Sequence, residues 1–145
     1  MLYPTTTRLY EIVHVPSGRR YTGISEDDLL TIRWPDHIRR AVAGMHGSPA
    51  FQALWRSTPP NEWIFKSLAV GNDKVVGLEE REIVYKLSRL GDALNAKCPS
   101  EPPARDIRTL LIAKMAPTTY HTTMWRYDGD GFVPADMQSV YGSRS

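Results

Sequence analysis

Two tyrosines, an arginine, a histidine and a glutamate (Tyr10, Tyr21, Arg33, His37 and Glu80) follow one another along this chain, in stretches that read in turn as strand, strand, helix, helix and later helix. Gathered in one place, they would suit a phosphodiester. A guanidinium is a planar fork of donors that matches the nonbridging oxygens of a phosphate, and an imidazole gives or takes a proton near neutrality. A phenol has a reference pKa of about 10, so it serves as a base only beside a cation or a proton acceptor, and Arg33, a metal ion or His14 could fill that role. One carboxylate can hold a hard cation when water and phosphate oxygens complete the shell. Such an ion polarises the phosphate and acidifies a bound water. Each residue also has a plainer reading. Tyrosines pack well in sheets, Arg33 can pair on the surface with Glu26, Asp27 or Asp28, and His37 can be a half-buried helix residue.

The elements that must position these groups are legible in outline. The runs 9–15 (LYEIVHV) and 21–24 (YTGI) flank a turn holding Pro16, Ser17 and Gly18, which predicts a β-hairpin. Alternation puts Tyr10, Ile12 and His14 on one face and Glu11, Val13 and Val15 on the other. Gly23, lacking Cβ, suits a close approach of backbone to backbone or ligand. From Ser25 the chain turns acidic and then basic; after Trp34, the spacing of Ile38, Ala41 and Val42 predicts a helix over at least 35–43. Arg33 and His37 are four apart and would share a face, but Pro35 belongs in a first helical turn and puts Arg33 at or just before the helix start.

Residues 44–49 break that helix, and Phe51, Leu54 and Trp55 restart an apolar stripe. Arg33, Arg39, Arg40 and Arg56 outnumber Asp36 in this region. With Arg19 and Arg20 of the hairpin turn, Arg39, Arg40 and Arg56 are the candidate contacts to a nucleic-acid backbone, although a solvated helical face would look alike. The aromatic and branched run 62–70 reads as a third strand. Helical periodicity then covers 76–94, with Ile83, Leu87, Leu90 and Leu94 in one stripe and Val84 beside it. Continued backwards, the stripe meets Val76 and Glu80. A carboxylate on such a face needs a cation or a partner, which makes Glu80 the best metal-ligand candidate; the competing reading is a rim acid paired with Lys or Arg.

The last third says less. A Pro-rich break at 96–103 precedes Ile107, Leu110, Leu111 and Met115, which predict a short amphipathic helix over 105–115 able to dock on the domain. The stretch TTYHTTMWRYDGDGFV alternates loosely and fits a strand pair or a specificity-bearing extension. Its Asp128-Gly129-Asp130-Gly131 reads as a turn, without the spacing or terminal Glu of an EF-hand loop. Charges balance over 101–145, so this segment is no obvious electrostatic arm.

The 145 residues, 41% of them hydrophobic, are enough for one domain with a real core. A net charge of +2 permits a nucleic-acid partner without demanding one. Cys98 stands alone, which excludes an internal disulfide and a thiolate zinc site. The start lacks a secretory apolar segment, and no run approaches the ~18 apolar residues of a membrane span, so the expectation is a soluble, cytoplasmic protein, nucleoid-associated if bacterial or phage.

Tyr10, Tyr21-Thr22-Gly23, Arg33-Trp34-Pro35-Asp36-His37, Gly44-Met45-His46 and Glu80 together resemble the GIY-YIG nuclease superfamily, over roughly residues 8 to 96. In style the motifs are most similar to the catalytic modules of phage and intron homing endonucleases. Arg8-Leu9 and Thr22 depart from the motifs that name the family. The resemblance implies an α+β fold, with a three-stranded antiparallel sheet flanked by helices, and metal-dependent hydrolysis of DNA. By similarity Glu80 would hold Mg²⁺, or Mn²⁺ in its place, Arg33 would bind the phosphate, Tyr10 would activate water, and Tyr21 would hold phosphate or water. His37 would assist proton transfer, with His46 as a further helper and His14 as an accessory. Residues 1–97 would form the nuclease domain, with 98–145 an extension packed on it. DNA is the expected partner, no membrane is involved, and the chain would act as a monomer or a transient dimer. The alternative is a catalytically altered, nuclease-like module that binds DNA or another protein.

Overall fold

The computed structural model describes residues 3–135. Strands β1 (Thr7–His14) and β2 (Arg20–Ser25) form the expected antiparallel hairpin, in a register that sets Tyr10 opposite Gly23 and Ile12 opposite Tyr21. A π-helical turn, Leu29–Arg33, is capped by Asp28, whose carboxylate accepts from Thr31 N at 2.9 Å, and runs straight into α1 (Trp34–Val42). Helix α2 (Pro49–Ser57) follows, then β3 (Trp63–Gly71), α3 (Asp73–Leu90), α4 (Ile107–Met115), β4 (Thr119–Tyr127) and β5 (Phe132–Ala135).

The expected three-stranded sheet is corrected by the structure: five antiparallel strands stand in the order β2-β1-β3-β4-β5. The two additional strands come from the loosely alternating stretch of the expected C-terminal extension. Thr119, Thr122 and Thr123 suit a pleated backbone, but their exposure on both sides blurs the period-two signal that marks a half-buried strand. Pairing with β3, with Phe65 opposite Trp125, aligns β4, and Tyr127 opposite Phe132 closes the β4–β5 hairpin. Of the expected extension 98–145, residues 136–145 lie outside the described residues.

Helices cover both faces. Tyr10, Ile12, Trp63 and Phe65 of the sheet pack with Trp34 and Ile38 of α1 and with Phe51 and Trp55 of α2. On the other side Leu9 and Ala69 meet Val76 of α3. Burial of these aromatic and branched side chains, at roughly 1.5–3 kcal/mol each, is the main source of stability.

Two helix expectations change. The third helix ends at Leu90, because Gly91 takes a left-handed φ of 79° and Asp92 N donates back to Leu87 O at 2.9 Å. Leu90 is consequently exposed, and Leu94 is buried from a segment that runs beside β2. There Arg20 N donates to Asp92 O, Leu94 N donates to Arg20 O, and the Asn95 amide both accepts from Thr22 N and donates to Thr22 O. Helix α4 forms, but Ile107, Leu110, Leu111 and Met115, the residues expected to dock, are exposed, and Ile112 is buried instead. No helix among the described residues is long and apolar enough to cross a membrane.

Candidate functional site

Tyr10 projects from β1 across Gly23 of β2. A Cβ built on Gly23 would stand 2.5 Å from the Tyr10 hydroxyl, so the glycine is what lets the phenol pass. The Tyr10 ring stacks at 6.4 Å on Tyr21, and Tyr21 meets the edge of His37 at 4.9 Å. Because the π-helical turn keeps Arg33 in helical backbone, Arg33 and His37 sit four apart on continuous helix despite Pro35. Arg33 Nε donates to Tyr10 Oη at 3.0 Å, and His37 Nε2 lies 2.7 Å from the same oxygen.

A backbone amide sets the proton positions in this cluster. Ser48 N donates to His46 Nδ1 at 3.0 Å, so a neutral His46 carries its proton on Nε2 and donates it to His37 Nδ1 at 2.8 Å. His37 then holds its own proton on Nε2 and donates it to Tyr10 Oη. Both rings stay neutral. Burial, followed by the repulsion of Arg33, pushes His37 down to about 3, and burial also lowers His46. Burial raises the Tyr10 phenol well above its ordinary value, opposed by Arg33. Tyr10 therefore keeps its proton near neutrality and anchors Arg33.

Ser48 does more than orient His46. Its hydroxyl caps α2 by accepting from Phe51 N and donates to Leu94 O, joining helix, histidine pair and the 91–95 segment. Above this floor opens a cleft of about 650 Å³ whose wall includes Tyr21, Arg33, His37, His46 and Glu80. Its cations, Arg33, Arg40, Arg81 and Lys97, outnumber its acids, Asp36 and Glu80. Glu80 is half-buried on the α3 wall, where burial alone raises its carboxyl pKa.

Compared with protein-family models, curated proteins and solved structures, the chain has no match.

The structure thus gathers Tyr21, Arg33, His37, His46 and Glu80 on the wall of one cleft, with Arg40 beside them and Tyr10 buried behind Arg33 and His37. It does not bring the other candidates there. His14 bonds Ser17 Oγ at 2.7 Å and Glu62 at 2.8 Å beside Trp63. Arg20 pairs with the buried Glu11 at 3.5 Å, Arg19 stays in the hairpin turn, and Arg56 ends α2 near Gly44.

The expected Mg²⁺ or Mn²⁺ site at Glu80 is corrected, and with it the metal-dependent endonuclease activity. No group of three or more His, Cys, Asp or Glu side chains able to hold a metal ion occurs among the described residues. The histidines and the aspartate that share the cleft with Glu80 are already engaged. Both ring nitrogens of His37 and of His46 lie in hydrogen bonds, and Asp36 is paired with arginines. In the sequence Asp36 stands only as a minority charge, and Ser48 and Asn95 are not among the candidate residues. The signals were present in Asp36 standing three and four before Arg39 and Arg40, and in Ser48-Pro49 as an N-cap followed by proline at N1.

Proposed function

We propose that this chain is a catalytically altered, GIY-YIG-like module that binds the phosphodiester backbone of DNA in the cleft between α1 and α3. The observation that carries the reading is the Arg33 guanidinium. Its Nε donates to Tyr10 Oη at 3.0 Å, while Nη1 faces Asp36 at 3.9 Å, an ion pair without a hydrogen bond, so among the described residues the terminal nitrogens keep their donors for an anion. The neutral, oriented histidines and the protonated phenol hold that guanidinium in place at little cost in reorganisation on binding. The excess of cations on the cleft wall favours a polyanion.

The test is fluorescence anisotropy of a labelled duplex in EDTA, with wild type and Arg33→Ala. Salt-sensitive binding that weakens about tenfold or more in Arg33→Ala supports the reading. Equal affinity of the two proteins rules Arg33 out as the phosphate contact.

A protein-interaction module is the second reading, favoured by the exposed Ile107, Leu110, Leu111 and Met115 of α4. It predicts that Leu111→Asp leaves DNA affinity intact while abolishing an association detectable by light scattering.

A further inference from the structure

Asp36 gathers three guanidiniums. Its carboxylate pairs with Arg39, accepts from Arg40 Nε at 3.1 Å and stands 3.9 Å from Arg33 Nη1. The carboxylate is well sheltered, at 18% side-chain exposure, whereas Arg39 and Arg40 are 75% and 56% exposed. The acid therefore sits sheltered on the first turn of α1, and its outer two partners reach it from solvent.

Asp36 also lines two neighbouring clefts, the main one and a smaller one of about 420 Å³ that shares Arg33, Asp36 and Arg40 and adds Arg39. A chain of phosphates passing from one cleft to the other crosses these arginines. An isolated nucleotide would occupy one cleft only.

Resting on the DNA-binding reading above, we infer that Asp36 is an internal stand-in for a backbone phosphate, occupying Arg39 and Arg40 until a continuous phosphodiester strand displaces it. Carboxylate and phosphate present the same paired oxygens to a guanidinium fork. The arginine ends of these pairs stand in solvent, which screens them, so each guanidinium can exchange the carboxylate for a phosphate at modest cost. The consequence is a bias toward polymer over single phosphates. Each arginine released needs a phosphate in place of the carboxylate, and only a strand supplies a second one in the neighbouring cleft.

The experiment is anisotropy of a fluorescein-labelled DNA duplex in EDTA across a salt series, for wild type, Asp36→Asn, Asp36→Ser and Asp36→Asn combined with Arg39→Ala, each checked by thermal melting. The expected result is several-fold tighter binding by Asp36→Asn at low salt. The slope of log K against log salt should steepen by about 0.9, the value for one added phosphate contact. Adding Arg39→Ala should erase the gain. Asp36→Ser, which keeps a hydroxyl at the helix start, should repeat it if Asn disturbs the fold. Affinity and slope unchanged or lowered in both folded Asp36 variants overturns the inference while leaving the cleft as a DNA site. Absence of binding by wild type overturns both.

Discussion

The Tyr10 hydroxyl lies against Gly23, its partner across β1 and β2, so closely that a methyl group on the glycine would stand 2.5 Å from the oxygen. The side chain that anchors Arg33 thus depends on the absence of one on the neighbouring strand. Gly23→Ala should force Tyr10 off His37 and Arg33 or part the strands, at about 1–3 kcal/mol by chemical denaturation. Tyr10→Leu removes both the hydroxyl at 2.5 Å and the ring carbon at 2.6 Å, so Gly23→Ala should be milder in that background. Strictly additive effects in the double-mutant cycle would show that the two residues do not oppose each other.

Stability should fall on mild acidification. His37 is pushed from 6.5 to about 3 in the folded chain, so between these values the unfolded chain binds a proton that the native chain does not, and stability rises with pH there. His46 acts in the same direction. Thermal melts of wild type from pH 7 down to 5 should show a loss of up to about 1.4 kcal/mol per pH unit from His37 below its unfolded pKa, with His46 adding in the same direction. His37→Gln should flatten that slope. An equally steep slope in the variant would remove His37 from the explanation.

Glu80 brings a second acid to a cleft that otherwise favours anions, and its carboxyl pKa is raised by burial. A raised carboxyl pKa means that ionisation at neutral pH opposes folding and that the opposition fades as pH falls through the folded pKa. Glu80→Gln should therefore melt no lower than wild type at pH 7 and should bind duplex DNA in EDTA a few-fold more tightly. Weaker binding by this variant would mean that the carboxylate assists the ligand and would count against a simple anion cleft.

Asn95 imitates a strand at the open edge of β2, accepting from Thr22 N at 3.1 Å and donating to Thr22 O at 2.8 Å. Asn95→Ala leaves both backbone groups without those partners, which should cost about 1–3 kcal/mol. Amide exchange of Thr22 should accelerate more than that of Ile12 in the centre of the sheet. Uniform acceleration would indicate global destabilisation in place of a freed edge.

The hairpin, the helix bearing Arg33 and His37, and the third strand are readable from sequence because hydrophobic period, turn residues and i,i+4 spacing are local properties. The order of Tyr10, Tyr21, Arg33, His37, His46 and Glu80 can be read from the sequence, and the fold brings the last five to one cleft with Tyr10 buried behind them. Other features depend on contacts between distant segments. The leucine stripe crosses Gly91 without sign of interruption, yet the left-handed turn there sends Leu94 to β2. Periodicity says which face of an element is apolar and not what it meets, so it misassigned the exposed face of α4 and missed the pairing of β4 with β3. Whether an imidazole or a carboxylate is available to a ligand is likewise a tertiary matter. Ser48 reaching His46, and Asp36 holding its arginines, are what turned a presumed metal centre into a hydrogen-bonded cationic cleft.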